Sequence, residues 1–296
     1  MLKQGEKKVT ITRFEIFTKV VELGGLTRAG DALNLTQSAV SHAISNLEKE
    51  FGFPLLIRNR GGITLTNEGE RTLRYMREIL QMNEQLQQEI ASIHGLEVGT
   101  VRIGTFTSVS TNWLPDIIKQ FQQSFPSIRL KLFEGNYHEI ESWLANGKID
   151  CGFVTLPSND AFHIVPLKTD RMLCIVPENH PYAHQERIMF KQIEQEPFIM
   201  QKVGGNNDVR RIFDEYQVQP SITYELADDH AIVSMVQNQL GISVLPELVL
   251  PSKPEGLRLL GLEKESFRLI GIATSVQMAP ATKRFIDCVK TWVDQT

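Results

Sequence analysis

The stretch that decides the fold runs from Leu26 to Arg58 and reads LTRAGDALNLTQSAVSHAISNLEKEFGFPLLIR. Its pattern predicts two short amphipathic helices joined by a tight turn at residues 34–36, with Thr27 and Thr36 as N-caps. In the second helix the apolar residues recur at helical spacing and predict a buried face: Val40, Ala43, Ile44, Leu47 and Phe51.

The other face of the second helix carries short polar side chains: Thr36, Gln37, Ser38, Ser41, His42 and Ser45. Such groups can lie against base edges and phosphates, and the positive end of a capped helix favours a nearby phosphate. The pattern therefore favours a DNA recognition helix. An ordinary helix pair in an all-helical domain could show the same periodicity, so the context must decide.

A basic turn follows this helix pair. Arg58 and Arg60 flank Asn59 and precede two glycines, and the segment 63–66 reads as a short strand. A hairpin beside a helix-turn-helix predicts a wing whose arginines reach phosphates or the minor groove. The alternative is a solvated hairpin with two exposed arginines.

A long helix is predicted from Asn67 to about Ile93, with a span of about 40 Å at ~1.5 Å per residue. It has a wide apolar face: Leu73, Met76, Ile79, Leu80, Met82, Leu86, Ile90 and Ile93. A face of this width needs a partner, and the same helix of a second subunit is the simplest one.

Beyond His94, strand-like apolar runs alternate with helical ones, which predicts α/β structure. Ligands of open α/β sheets lie beyond the carboxyl ends of strands, where a hydroxyl-rich turn at 107–111 and a Gly/Asn turn at 202–207 would offer donors to an anion, plausibly a carboxylate. The candidate effector residues are Thr105, Ser108, Ser110, Thr155, Gln201 and Gly205. Ordinary capped helix starts are the alternative, and we interpret Asp228-Asp229-His230 as such a cap.

Composition limits the function classes. The 296 residues carry a net charge of −4, but residues 1–65 hold nine Lys/Arg and six Asp/Glu, a net charge of +3. A basic head on an acidic body suits a DNA-binding module. Since no apolar run resembles a signal peptide or a membrane span, we expect a cytoplasmic protein. Cys151, Cys174 and Cys288 are far apart, so we expect buried free thiols and neither a metal nor a cofactor.

The sequence resembles the LysR-type transcriptional regulators over nearly its whole length. The family's head motif is matched by Ala29, Leu33, Thr36, Gln37, Ala39, Val40, Ser41, Ile44, Leu47, Glu48, Gly52, Leu55 and Arg58. Leu65-Thr66-x-x-Gly69 and later landmarks, such as Leu114-Pro115 and Gly241-Ile242-x-x-Leu245-Pro246, follow in the family's order. Two departures are Gly30 and Gln239, where the family commonly has Ala and Gly.

The resemblance implies an α+β multidomain fold. Its parts would be a winged helix-turn-helix DNA-binding domain at 1–66, a dimerising linker helix at 67–94, and an effector domain at 95–296 built like a periplasmic binding protein. Lobe I of that domain would comprise 98–163 with 267–296, and lobe II 164–266. The implied partners are double-stranded promoter or operator DNA, a small-molecule effector, and further copies in a homodimer or homotetramer. RNA polymerase is a further candidate partner, and no membrane is expected.

The predicted function is thus a DNA-binding transcriptional regulator of LysR type whose operator binding or activation responds to an effector. A solute-binding protein would need a signal peptide in place of the basic head. An enzyme would need a nucleophile–base pair or a metal set, and no motif indicates one. A regulator that senses through thiol chemistry is the remaining alternative, which nothing in the cysteine pattern favours.

Overall fold

The computed structural model describes residues 11–59, 62–202, 208–250, 255–275 and 278–296, with Arg58 described by its backbone alone. The chain divides into two compact units. The first contains residues up to Leu96 together with Asn146–Lys148, and the second contains Glu97–Ala145 and Ile149–Thr296. The sequence boundaries at 66, 94, 163 and 266 remain predictions.

The first unit is a winged helix-turn-helix followed by a long helix. Its elements are α1 (Ile11–Leu23), α2 (Leu26–Leu33), α3 (Gln37–Phe51), β1 (Leu56–Asn59), β2 (Gly62–Leu65) and α4 (Asn67–Ile93). β1 and β2 pair antiparallel, with Arg58 opposite Ile63. The apolar face predicted for α3 is confirmed, because Val40, Ile44 and Leu47 are fully buried in one core with residues of α1.

One of the two predicted helix caps is confirmed. Thr36 lies just before α3, and its hydroxyl accepts a hydrogen bond from the Ala39 backbone N–H at 3.1 Å. Thr27 was the wrong choice, because α2 already begins at Leu26 and its N-cap is the extended Gly25, which offers no side-chain oxygen. Asn34 ends α2 in the left-handed conformation with φ 55°, as a tight turn requires.

Gly30 has a structural reason. A Cβ at this position would lie 2.7 Å from the carbonyl oxygen of Leu35, which belongs to the turn between α2 and α3. The Leu35 N–H also donates to the Gly30 carbonyl at 2.9 Å. The glycine therefore allows the turn to lie against α2, at a cost in helix propensity of about 1 kcal/mol relative to alanine.

The first turns of α4 belong to the core of the head. Leu73 and Met76 are buried among the residues of α1 and α3. Thr66 caps α4 by accepting from the Gly69 N–H at 2.9 Å and donates its own hydroxyl to the Pro54 carbonyl at 2.9 Å. The long helix thus begins as a core element and continues beyond the head.

The second unit is α/β. Its elements are β3 (Gly99–Thr105), α5 (Thr107–Asn112), α6 (Leu114–Ser124), β4 (Ile128–Glu134), α7 (Tyr137–Ala145), β5 (Cys151–Leu156), β6 (His163–Pro177), β7 (Arg187–Ile188), α8 (Phe190–Gln195), β8 (Pro197–Gln201), α9 (Asp208–Glu215), β9 (Ser221–Leu226), α10 (Asp229–Gln237), β10 (Ser243–Pro246), a 3₁₀ turn (Glu247–Val249), β11 (Leu257–Leu262), β12 (Phe267–Thr274) and α11 (Pro280–Gln295).

One long strand runs through the main sheet of this unit. The strand order is β4-β3-β5-β12-β6-β11-β7, with β10 also paired to β6. The first half of β6 pairs with β12, and its second half pairs with β10 and β11. One hydrophobic core is formed by residues within 101–154 and 270–293, and two further cores are formed by residues within 172–262. β6 therefore connects the parts of the unit that hold these cores.

Several elements differ from the sequence prediction. The hydroxyl-rich segment 107–111 was expected to be a turn and is instead the short helix α5. The strand β6 begins at His163, well before the continuous apolar run at 172–177, because its first half is held by pairing with β12. β11 and α8 were not predicted at all. Gln239 takes φ 62° and so occupies, at some strain, the left-handed position where glycine is common.

The cysteines are free, as expected, although Cys288 is only half-buried while Cys151 and Cys174 are buried. Burial raises the pKa of all three thiols. Among the described helices, none has the combination of length and apolar composition that would allow it to cross a membrane.

Candidate functional site

The polar face of α3 is open to solvent. Thr36, Gln37, Ser38 and His42 are exposed, while Ser41 and Ser45 are half-buried. The Thr36 and Ser38 hydroxyls lie 3.0 Å apart at the start of the helix. All six predicted side chains of this face therefore lie on one described helix and its cap, opposite the buried Val40, Ile44 and Leu47.

His42 has a defined hydrogen bond that sequence reasoning missed. The Asn46 side-chain amide lies 3.1 Å from Nδ1 of His42, one helical turn away. Because the contacting atom is the amide nitrogen, which can only donate, a neutral His42 in this arrangement accepts at Nδ1 and carries its proton on Nε2. Asn46 thus leaves His42 with an Nε2–H donor, the group needed to contact a phosphate or a purine acceptor.

Glu48 holds the wing against α3. Its Oε1 accepts hydrogen bonds from the backbone N–H groups of Leu55 at 2.8 Å and Leu56 at 3.2 Å. This contact fixes the start of β1 relative to the polar face. Arg58 lies on β1 directly beyond, whereas Arg60, the other predicted wing residue, lies outside the described residues.

The second unit contains a cavity of about 310 Å³, within the size range of small-molecule sites. Its wall is formed where β3, β4, β8 and β9 end, as expected for an α/β ligand site. The lining residues are Phe106, Thr107, Ser108, Glu134, Gly135, Asn136, Tyr137, Gln201, Lys202, Asp208, Ala227, Asp229 and Arg268.

A buried arginine organises this wall. Arg268 is 2% exposed and forms an ion pair with Asp170 at 2.6 Å. Its Nη1 donates to the Tyr137 hydroxyl, and Nη2, which also contacts Asp170, donates to the Ser108 hydroxyl, each at 2.8 Å. The guanidinium also lies 5.4 Å from the centre of the Phe106 ring. Arg268 therefore joins β12, β6, α5 and α7 around one charge, and most of its donors are occupied by protein groups.

Burial destabilises the ionised form of two acidic side chains of the wall, Asp208 and Asp229. Burial raises the pKa of Asp208, although Arg268 and Arg211 oppose the shift, and Arg211 lies 3.1 Å from this carboxylate. Burial likewise raises the pKa of Asp229, which accepts a short hydrogen bond from the Gln201 amide. The hydroxyl end of Tyr137 is enclosed between Arg268 and Asp208, and burial raises its pKa as well.

The predicted effector residues do not all line the cavity. Ser108 and Gln201 line the cavity, while Thr105 and Thr155 are buried in their strands and Ser110 donates to the Thr105 hydroxyl at 3.2 Å. Gly205 lies outside the described residues. Asp228 is confirmed as the cap of α10, since it accepts from the His230 N–H at 2.8 Å, and its neighbour Asp229 is left to line the cavity.

Arg268, Asp170, Tyr137 and Asp208 were not predicted. A signal existed for Arg268, because it is the one charged residue of an otherwise apolar strand, and such charges are rarely buried without a partner. Asp170 gave no such signal, because it lies between Thr169 and Arg171 in a polar stretch of β6. The pairing of Arg268 with Asp170 across β12 and β6 depends on strand register, which the sequence does not show. Within the described ranges, no group of three His, Cys, Asp or Glu side chains is arranged to hold a metal ion.

Comparison with known proteins agrees with this architecture. Residues 11–70 match the model of the bacterial regulatory helix-turn-helix protein of the lysR family. Residues 94–294 match the model of the LysR substrate binding domain.

Two curated relatives and two solved structures illustrate the similarity. The HTH-type regulator YvbU of Bacillus subtilis is 34% identical, covering 95% of this chain and 98% of that protein. The transcriptional activator CmpR of Synechocystis is 31% identical, covering 81% of this chain and 79% of that protein. Full-length OxyR of Pseudomonas aeruginosa, solved as a cysteine variant, superposes with a TM-score of 0.79 at 20% identity and covers 97% of this chain and 95% of its own.

CbnR bound to its target DNA superposes with a TM-score of 0.66 at 19% identity, and the match covers 96% of this chain and 100% of the CbnR chain. At these identities the two solved structures support the fold, while the family models and the curated relatives establish descent. The order of a DNA-binding head, a long helix and a two-part α/β unit is thus that of its relatives, and the chain belongs to the LysR family of transcriptional regulators.

Proposed function

We propose that this regulator binds operator DNA through the exposed face of α3 and changes its transcriptional output when a small molecule occupies the cavity of the α/β unit. The observation that carries the proposal is the open polar face of α3 within a winged head. The DNA-contacting set is Thr36, Gln37, Ser38, Ser41, His42, Ser45, Arg58 and Arg60.

The roles within this set follow from chemistry. The Gln37 amide can both donate to and accept from a base edge, and the Nε2–H of His42 can donate to a purine. The hydroxyls of Ser38 and Ser41 suit phosphates near the start of the helix, where the backbone dipole is positive. Arg58 and Arg60 would anchor the wing on the sugar–phosphate backbone.

The exposed stripe of α4 supports a dimer as the working form. Met82 is 53% exposed, Leu86 56% and Ile93 75%, which is unusual for apolar side chains at helical spacing. A second copy of α4 would cover this stripe, and pairs of such dimers would form a homotetramer. A dimer presents two heads to one palindromic operator, so two weak contacts combine into a tight one.

The effector site is proposed at the cavity near Arg268, where Ser108 and Gln201 reach the wall. We propose that the chain is not an enzyme, because its family models are those of transcriptional regulators and the central arginine of this wall is already engaged by Asp170, Tyr137 and Ser108. Sensing by a ligand is favoured over thiol chemistry, since burial raises the pKa of each cysteine and suppresses the reactive thiolate.

DNA as a partner would place the chain in the compartment that holds the chromosome, which in the bacteria of its relatives is the cytoplasm. RNA polymerase is a further proposed partner, because a relative such as CmpR is described as an activator.

The test is DNA binding by purified full-length protein, measured by fluorescence anisotropy on the DNA flanking its own gene and on random duplex. We expect Gln37→Ala and His42→Ala each to weaken specific binding about tenfold or more, since a base contact contributes ~1–3 kcal/mol, with little change on random DNA. Gln87→Ala removes the same amide from an exposed position on α4 and serves as the control. Equal losses on both DNAs would reduce Gln37 and His42 to backbone contacts, and no preference for the flanking DNA would reject the proposed function.

A further inference from the structure

We propose that the effector carries a positively charged amine or guanidinium group, which the acidic wall of the Arg268 cavity binds. This inference rests on the proposed function, because it assigns a chemical class to the ligand of that same site. It departs from the carboxylate expected from the sequence.

The charge of the wall is the first argument. Glu134, Asp208 and Asp229 line the cavity, against the two cations Lys202 and Arg268, which leaves a net charge of −1. Residues 203–207, outside the described part, contain no charged side chain in the sequence. Residues 203–207 therefore add no charge that would change the net value of −1.

Arg268 is poorly available for an anionic ligand. Its charge is already paired with the Asp170 carboxylate at 2.6 Å, and it donates to Tyr137 and Ser108 besides. An incoming carboxylate would have to compete with Asp170 for the same guanidinium, and Asp170 also accepts from the Leu248 N–H at 3.0 Å. Arg268 thus positions the wall, while Lys202 is exposed at its edge.

The carboxylates differ in their partners. Asp208 has a cation of its own, Arg211 at 3.1 Å. The described hydrogen-bond donors to the other two are neutral: the Gln201 amide for Asp229 and the Thr107 hydroxyl, at 3.0 Å, for Glu134. A partly buried carboxylate with a neutral donor gains a strong charge-assisted hydrogen bond when an ammonium or guanidinium group approaches.

Burial supports the same conclusion. It raises the pKa of Asp229, so the ionised group is held in a site that disfavours its charge. A cationic ligand would relieve this cost, whereas an anion would add a second negative charge to the same low-polarity space. The two helix starts that suggested an anion do not weigh against this. The helix α5 has only six residues, and α9 begins with the acidic Asp208.

The experiment is a thermal-shift titration of the full-length protein with paired probes. The amines are 1,4-diaminobutane, 1,5-diaminopentane and agmatine, and the carboxylates succinate and glutarate match the two diamines in carbon number. We expect at least one amine to raise the Tm by about 5 °C at a concentration ~100 times its Kd, and neither dicarboxylate to do so. The shift should shrink with added salt, because the contact is electrostatic.

Variants link the shift to the cavity. Asp229→Asn and Glu134→Gln keep the shape of the wall and should weaken amine binding about tenfold or more, since each removes one charge-assisted contact. Asp287→Asn removes the same charge from an exposed position on α11 that does not line the cavity, and it should leave the amine response intact.

Three outcomes would overturn the inference: a shift with a dicarboxylate that Asp229→Asn preserves or strengthens, no shift with any of the amines, or an amine shift that both cavity variants retain. The proposed function is tested separately, by measuring binding to the flanking DNA. A chain that binds this DNA specifically and ignores every amine keeps its function as a regulator and rejects the cationic effector.

Discussion

Two residues of the head, Glu48 and Gly69, act through contacts with backbone groups of neighbouring segments. Glu48 and Gly69 both belong to the motif that carries the family resemblance, yet neither faces the proposed DNA surface. Glu48 accepts two N–H groups of the wing, and Gly69 lies against the carbonyl of Leu55. Their presence in the family's motifs has a structural cause: Glu48 holds the wing against α3, and Gly69 lets α4 lie against the segment that precedes β1.

Replacing Glu48 with Ala should destabilise the protein by about 2 kcal/mol or more, because two N–H groups at the buried Leu55 and Leu56 lose their acceptor. Glu48→Gln retains the acceptor oxygen and should cost clearly less. The free energy of unfolding from urea titration measures both. If the two variants lose equal stability, the contact acts through the charge of Glu48 and not through the hydrogen bonds.

Gly69→Ala should be destabilising by about 1–3 kcal/mol, since the added Cβ would overlap the Leu55 carbonyl oxygen and force α4 away from β1. Gly261→Ala is the comparison, because its Cβ would make only ordinary van der Waals contacts, of 3.4 Å or more. Thermal unfolding of the two variants under one set of conditions tests this. A Gly69→Ala protein as stable as Gly261→Ala would contradict the close approach.

At the scale of elements, α4 has two different roles along its length. Its first turns supply Leu73 and Met76 to the core of the head, and its later turns expose Met82, Leu86 and Ile93. A truncation after Thr66 would therefore remove part of the head's own core together with the dimerisation surface. A substitution in the later turns separates the two roles.

Leu86→Glu in the full chain should convert the dimer to a monomer, because it places a charge in the centre of the apolar stripe, where a partner helix would bury it without a counter-ion. Gln87→Glu introduces the same charge at the adjacent exposed position. Light scattering coupled to size-exclusion chromatography gives the mass of each. A dimeric Leu86→Glu protein would place the interface elsewhere, and the head should stay folded in either case.

At the scale of the whole molecule, the chain retains buried charge that costs stability. The pKa of Asp229 is raised by burial, so the native state holds its proton more tightly than the unfolded chain does. Stability is therefore lost as pH rises through the native pKa, and it is fully restored only below the unfolded value of about 3.9.

Asp229→Asn should accordingly raise the Tm of the ligand-free protein at pH 8, with an advantage that shrinks as the pH falls toward the unfolded pKa of about 3.9. The amide resembles the protonated carboxyl and can still accept from Gln201. Differential scanning fluorimetry from pH 8 down to about pH 4, with Asp287→Asn as the exposed control, measures the effect. An advantage that is undiminished at the acid end of this range would show that ionisation of Asp229 does not destabilise the native state.

Most elements and their order could be predicted from the sequence alone. Helical spacing in α3, the Thr36 cap and the long stripe of α4 are local signals, and local periodicity and capping suffice to express them. Thr27 and segment 107–111 were misjudged because α2 and α5 do not begin at a hydroxyl residue: their N-caps are Gly25 and Phe106, without a side-chain cap. β11 and the first half of β6 were missed because pairing with distant strands, and not local propensity, makes them strands.

The chemistry of the cavity depends on tertiary contacts. Arg268 and Asp170 are 98 positions apart, and Arg268 and Ser108 are 160 apart. Strand register places Arg268 opposite Asp170, and a one-residue slip of β12 would turn Arg268 to the other face of the sheet. Ser108 reaches the same guanidinium from helix α5, through the packing of α5 against the sheet. Asp229 read as part of a helix cap until Asp228 proved to fill that role. The sequence thus identified a regulator, while the arrangement of charges in the proposed effector site follows from long-range contacts, which local sequence patterns do not encode.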